Sequence, residues 1–266
     1  RKIGIQQGDR IAGFMPNMPE TIIAMLAAAS IGAIWSSSSP DFGIKGVLDR
    51  FTQIEPKVLF AANGYYYNGK KFDSLEKLNS ILDQLPSVDR VVVAPYTKSN
   101  PDISSVKNGI LWDNFVDSNP SPLQFEQLPF QHPLYIMYSS GTTGLPKSIV
   151  HGAGGTLIQH LKELRLHGNI YQDDTIFYFT TCGWMMWNWL VSNLAIGAAI
   201  VLYDGSPLQP NSNAMWDMVD ELGITHFGTS AKYIDACRQE GLSPIKTHSL
   251  ESMRTIFSTG SPLVEE

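Results

Sequence analysis

Residues 137–151 read MYSSGTTGLPKSIVH, with Ser139, Ser140, Gly141, Thr142, Thr143, Gly144 and Lys147 clustered between two apolar runs. Glycines let backbone amides approach an anion closely, the hydroxyls donate hydrogen bonds, and the lysine adds a mobile positive charge. Such groups suit a polyphosphate, although a solvated surface hairpin uses the same residue types. The spacing nearly meets the P-loop template of Gly, four residues, then Gly-Lys-Ser, with Gly141, Lys147 and Ser148 in place. Pro146 stands where the second glycine belongs. Proline holds φ at about −65° and has no N–H for a phosphate. Because SIVHG follows and is short and β-prone, the expected shape is strand, loop, strand, and the ordinary P-loop is rejected.

Three further groups of residues invite a chemical reading. TTCGWMMWNW, residues 180–189, concentrates tryptophan and methionine, which from composition alone is a buried helix. STGSPL, 258–263, has the make-up of an ordinary turn after a strand. His160 and His167 are seven apart, with Lys162, Glu163 and Arg165 among the residues separating them, the pattern of a solvated helix face. No Cys or carboxylate cluster accompanies them in ligand spacing, so no metal site is expected. His151 directly follows the loop and is expected to shape it. There is no Gly-x-Ser-x-Gly elbow, and GAGG at 152–155 fails the dinucleotide fingerprint, so hydrolase and dehydrogenase chemistry have little support.

The elements that must position these residues alternate. A strand at DRIAGFM precedes a helix over PETIIAMLAAASIG, with Pro19 in its first turn and Gly32 past its end. Strands are predicted near 33–37, 57–61 and 90–94, and helices near 44–54 and 74–85. From 134 come strands at LYIMY, TIFYFT, AAIVLY, THFGT and RTIFST, with helices over 155–167, 185–194, 213–222 and 231–240. The fold expected is α/β, with mostly parallel sheets and helices on both faces. Residues 1–95 make a first α/β subdomain, 96–133 a connecting segment rich in proline and small polar residues, and 134–266 a second subdomain carrying the loop.

Composition narrows the partners. The 266 residues are 43% hydrophobic with a net charge of −6, and the scattered Lys and Arg form no basic stripe, so no nucleic acid is expected. The longest oily stretch, residues 21–35, is too short to span a bilayer, and no signal peptide is visible. Cys182 and Cys237 are read as free thiols in a reducing compartment, the cytosol. The start at Arg1 and the abrupt end at GSPLVEE suggest a piece of a longer protein.

Ser-Ser-Gly-Thr-Thr-Gly-Leu-Pro-Lys resembles the phosphate-binding signature of the adenylate-forming ligases, which include acyl-CoA synthetases, luciferases and peptide-synthetase adenylation domains. GGTLIQHLKE, GWMMWNW, GAAIVLYDGSP and STGSPL also look like segments of that family. The likeness is strongest over 134–207 and near the end, looser over 10–50, and absent from the connecting segment. It implies part of the large N-terminal domain of such a ligase. In these enzymes a carboxylate attacks the α-phosphorus of ATP, pyrophosphate leaves, and coenzyme A cleaves the acyl-adenylate, with Mg2+ required.

Residue by residue, the resemblance implies that Ser139, Ser140, Gly141, Thr142, Thr143, Gly144 and Lys147 bind the phosphates of ATP, Thr142 and Lys147 acting catalytically. Gly260, Ser261 and Pro262 match the loop that covers adenine. Gly183 and Trp184 match a Gly-Trp pair of the acid pocket, with Met185 and Met186 forming its wall. Trp187 and Asn188 replace the small residue and His of acetate-activating members, which points to a neighbouring short acid. Acetoacetate is the first expectation, with Asn188 as a contact for its keto group, and acetate, propionate and butyrate are the alternatives. Such an enzyme feeds ketone-body carbon into lipid synthesis. Gly43 and Arg50 fall near positions that contact coenzyme A, too weakly matched to be assigned. The family's magnesium-holding Glu, ribose-binding Asp and lid Lys have no counterpart before Glu266, so the piece alone is expected to be inactive. A non-catalytic nucleotide-binding relative is the competing class, and a P-loop kinase or ATPase the third.

Overall fold

The computed structural model describes residues 1–119, 122–139 and 144–263. Backbone contacts divide the chain into two units, the first made of Arg1–Tyr66, Lys71–Thr156 and Thr181–Trp184. The second holds Tyr67–Lys70, Leu157–Thr180 and the residues from Met185 onward.

Strand β1 (Arg10–Phe14) leads into α1 (Pro19–Ser30), which has proline in its first turn, then β2 (Ile34–Ser38), α2 (Ile44–Ile54) and β3 (Val58–Ala62). A hairpin of β4 (Gly64–Tyr67) and β5 (Lys70–Asp73) follows, then α3 (Leu75–Leu82), β6 (Arg90–Ala94), β7 (Gly109–Leu111) and the single turn α4 (Trp112–Phe115). Strands β8 (Pro133–Ser139) and β9 (Lys147–Gly152) close the first unit's sheet, whose order is β7-β6-β3-β1-β2-β8-β9. All neighbours are parallel except the antiparallel β8–β9 pair. Strands covered on both faces carry continuous apolar runs, and VLFAA in β3 is buried throughout. On one face Val47, Phe51 and Ile54 of α2 and Leu78 and Ile81 of α3 pack against Phe14, Leu59, Ala61, Val91 and Val93.

The second unit starts within α5 (Ala153–Lys162), which widens into a π turn over Glu163–His167. Then come β10 (Thr175–Tyr178), α6 (Met185–Ser192), β11 (Ala199–Val201), α7 (Ala214–Leu222), β12 (His226–Ser230), α8 (Ala231–Gln239), α9 (Pro244–Thr247) and β13 (Thr255–Thr259). Its sheet, ordered β11-β10-β12-β13, is parallel throughout. One face is covered by Met215, Trp216 and Val219 of α7 with Tyr233 and Cys237 of α8. The other is covered by Leu164 of the π turn and Trp189 and Leu190 of α6.

Helix and strand types follow the sequence pattern closely, whereas the unit boundaries differ from the expected ones. The division falls after Thr156, because β8 pairs with β2 through Trp35 and Tyr135, and the Ser36 hydroxyl donates to the Ile136 carbonyl at 2.9 Å. Within the expected connector, β7 pairs with β6 and α4 follows it. Both differences arise from strand pairing between distant residues, which local periodicity does not carry.

Candidate functional site

In the first unit the paired strands β8 and β9 flank the loop of interest. Ser139 stands opposite Lys147 in the register, and Tyr138 opposite Ser148. Lys147 opens a strand, so the helix that a P-loop would start there is absent. Gly144 has φ +108°, a conformation open to glycine and strained for other residues. Ser140, Gly141, Thr142 and Thr143 lie outside the described residues. The Lys147 side chain is exposed, as a group that meets an anion must be.

Gln53 of α2 holds the returning strand on both sides of Lys147. Its Nε2 donates to the Pro146 carbonyl at 2.8 Å, and its Oε1 accepts from the Ser148 hydroxyl at 2.8 Å. On β8, the Tyr138 hydroxyl donates to the Arg50 carbonyl at 3.2 Å, and burial pushes its pKa up to about 12. Arg50 itself lies over the Phe42 ring, 4.8 Å from its centroid. His151 packs its ring 5.0 Å from that of Tyr135 at the base of the hairpin, and burial lowers its pKa.

The expected acid segment is shared between the units. In the first, the Ser37 hydroxyl donates to the Cys182 carbonyl at 2.6 Å, and the Cys182 thiol donates to the Met15 carbonyl at 2.7 Å. Gly183 lies against Ser38 and Ser39, where a Cβ would stand 3.4 Å from the Ser39 nitrogen. Trp184 is 61% exposed. Cys182 and Cys237 are both buried and form no disulfide.

In the second unit, Met185 and Met186 open α6 and line a cavity of about 300 Å³. Tyr178 of β10, Trp189 of α6, Phe257 of β13 and His160 of α5 line it too, as do Ser258 and Thr259, which directly precede Gly260. Ser261 and Pro262 follow as exposed residues beyond the end of β13. Asn188 is buried on α6, outside this lining, and its carbonyl accepts from the Ser192 hydroxyl at 3.0 Å.

His160 corrects one expectation. It is 4% exposed, with Nδ1 2.7 Å from the Ser192 hydroxyl, whereas His167 is exposed. Seven residues along a regular helix return to one face. Both histidines line one cavity of the second unit, where His160 is buried against Ser192 and His167 stays at the exposed side of the π turn over Glu163–His167. Gln53 and His160 carry no local sequence signal for these roles, since each depends on a partner more than thirty residues away. Among the described residues no group of three His, Cys, Asp or Glu side chains could hold a metal ion. No helix among them is long and apolar enough to cross a membrane.

The first unit thus carries a hairpin with Ser139 and Lys147 opposite each other, and the second a partly aromatic cavity at its strand ends. The chain belongs to the family of the AMP-binding enzymes, whose model matches residues 1–266. It is 56% identical to the acetoacetyl-CoA synthetase of Danio rerio over 99% of this chain and 40% of that protein. A malonamoyl-CoA synthetase of Penicillium aethiopicum is 45% identical over 99% of this chain and 39% of its own length. The structure of acetoacetyl-CoA synthetase from Streptomyces lividans superposes with a TM-score of 0.93 at 44% identity, covering 99% of this chain and 40% of that one. The chain thus spans about two-fifths of the length of these relatives.

Proposed function

We propose that this chain supplies the phosphate-binding and acid-binding parts of an AMP-forming acetoacetate–CoA ligase. Acetoacetate attacks the α-phosphorus of ATP, pyrophosphate leaves, and the thiol of coenzyme A then displaces AMP from the acyl-adenylate. The first step builds negative charge on phosphoryl oxygens, so donors and cations fixed around them lower its barrier. Ser139, Ser140, Gly141, Thr142, Thr143, Gly144 and Lys147 are assigned to that task, with Thr142 and Lys147 acting on the reacting phosphate. Gly260, Ser261 and Pro262 cover the adenine, and Gly183, Trp184, Met185, Met186 and Asn188 belong to the acid-binding segment. Magnesium and coenzyme A are required by the reading, but no described residue is assigned to either. The cytosol is the compartment that best suits two free thiols.

The observation that carries this reading is the cavity of the second unit. Met185 and Met186 share it with Ser258 and Thr259, so the acid wall and the approach to the adenine loop border one small volume. Bulky methionines there favour a short acid. The relatives' names support a particular kind of short acid, because acetoacetate and malonamate both carry a carbonyl β to the carboxylate.

The test is acid-dependent exchange of labelled pyrophosphate into ATP by the full-length protein, with acetoacetate, acetate and butyrate at equal concentration. Fastest exchange with acetoacetate is expected. A different preferred acid keeps the mechanism and discards the substrate. No exchange with any acid favours a non-catalytic relative, and ADP in place of AMP as product favours a kinase or ATPase.

A further inference from the structure

The geometry points to Tyr178 as the residue by which the acid cavity recognises a carbonyl oxygen β to the carboxylate, an inference that rests on the ligase reading above. Met185, Met186, Trp189 and Phe257 give the cavity an apolar and aromatic part, beside the polar Gln159, His160, Glu163, His167, Ser258 and Thr259. A ketone that enters such a space loses its water and needs a donor in exchange.

Tyr178 is built to be that donor. It is 3% exposed, with its ring edge-on to Trp189 at a centroid distance of 6.0 Å. On its other side the ring lies against Gly228 of β12, where any Cβ would overlap it. The position of the ring is therefore fixed, but its hydroxyl is held loosely. That hydroxyl donates to the Thr229 carbonyl at 3.3 Å, long against about 2.7–2.8 Å for an ordinary O–H···O bond. Burial raises the phenol's pKa to about 12, so the proton stays available for donation at any physiological pH. Beside it, the Thr229 Oγ1 is buried with no partner among the described groups, an unmet polar atom at the same end of β12.

Of the cavity's other polar groups, His160 and Gln159 are already engaged. Ser192 spends its only hydroxyl proton on the Asn188 carbonyl, so it must accept from His160 Nδ1. Gln159 Nε2 in turn donates to the Glu163 carboxylate at 3.0 Å.

Tyr178→Phe in the full-length protein removes the hydroxyl alone. Acetoacetate and butyrate differ by the keto oxygen, so their kcat/KM ratio in pyrophosphate exchange isolates its recognition. The variant should lose about 10- to 100-fold on acetoacetate and change less than about threefold on butyrate. Equal losses on both acids would assign Tyr178 a packing role and overturn the inference, as would no loss on either. A wild-type comparison does not depend on the variant folding: malonamate should be used closer to acetoacetate than to butyrate. A wild-type enzyme that exchanges with short acids without preferring acetoacetate over butyrate refutes carbonyl recognition and leaves the ligase reading intact. Exchange with no acid refutes the ligase reading itself.

Discussion

Replacing Gln53 by Ala should raise the KM for ATP while leaving the choice of acid untouched. Gln53 makes two hydrogen bonds to the returning strand of the phosphate hairpin, to Pro146 and to Ser148, the residues on either side of Lys147. Both are solvent-exposed, so each is worth about 0.5–1 kcal/mol, the lower part of the usual range. Losing the pair frees the lysine's backbone from α2 by about 1–2 kcal/mol, which ATP binding must then supply. At about 1.4 kcal/mol per tenfold, the KM for ATP in pyrophosphate exchange should rise about 5- to 30-fold. The maximal rate at saturating ATP should fall much less, because the groups proposed to contact the phosphates remain present. The acetoacetate to butyrate ratio should stay constant, since Gln53 belongs to the first unit and the acid cavity is lined by the second. An unchanged KM for ATP would show that the hairpin is held in place without Gln53 and refute the reasoning.

Lys147→Ala should cut the exchange rate by about 10²- to 10³-fold, as loss of a charged donor to a developing oxyanion does, and an effect under threefold would remove Lys147 from the chemistry. Gly228→Ala drives a methyl group into the Tyr178 ring, and should cost about 1–3 kcal/mol of stability, read as an earlier urea midpoint by tryptophan fluorescence. An unmoved midpoint would mean that the ring can step aside. His151 and His226 both have pKa values lowered by burial, so near pH 6 the unfolded chain binds more protons than the folded one. Stability should therefore fall as pH drops below about 6.5, and His226→Gln should flatten that slope. An unaltered slope would rule His226 out as its source.

Much of this molecule is written locally. Val58–Ala62 is apolar at every position and is a strand covered on both faces, and Pro19 starts α1 where its missing N–H costs nothing. Pro146 and the β-prone residues after it already exclude a P-loop helix, and Lys147 does open a strand. The chemistry of SSGTTGLPK and the aromatic content of the acid segment are likewise properties of residue types in order. The tertiary structure decided what depends on distant partners. Tyr135 pairs with Trp35 across a hundred residues and so draws the phosphate hairpin into the first sheet. His160 is buried because Ser192 of α6 lies against it, while His167 seven residues on remains exposed. Gly228 gives Tyr178 its seat only because β10 and β12 lie side by side. Periodicity records which face of an element is apolar, but only packing determines which element that face meets.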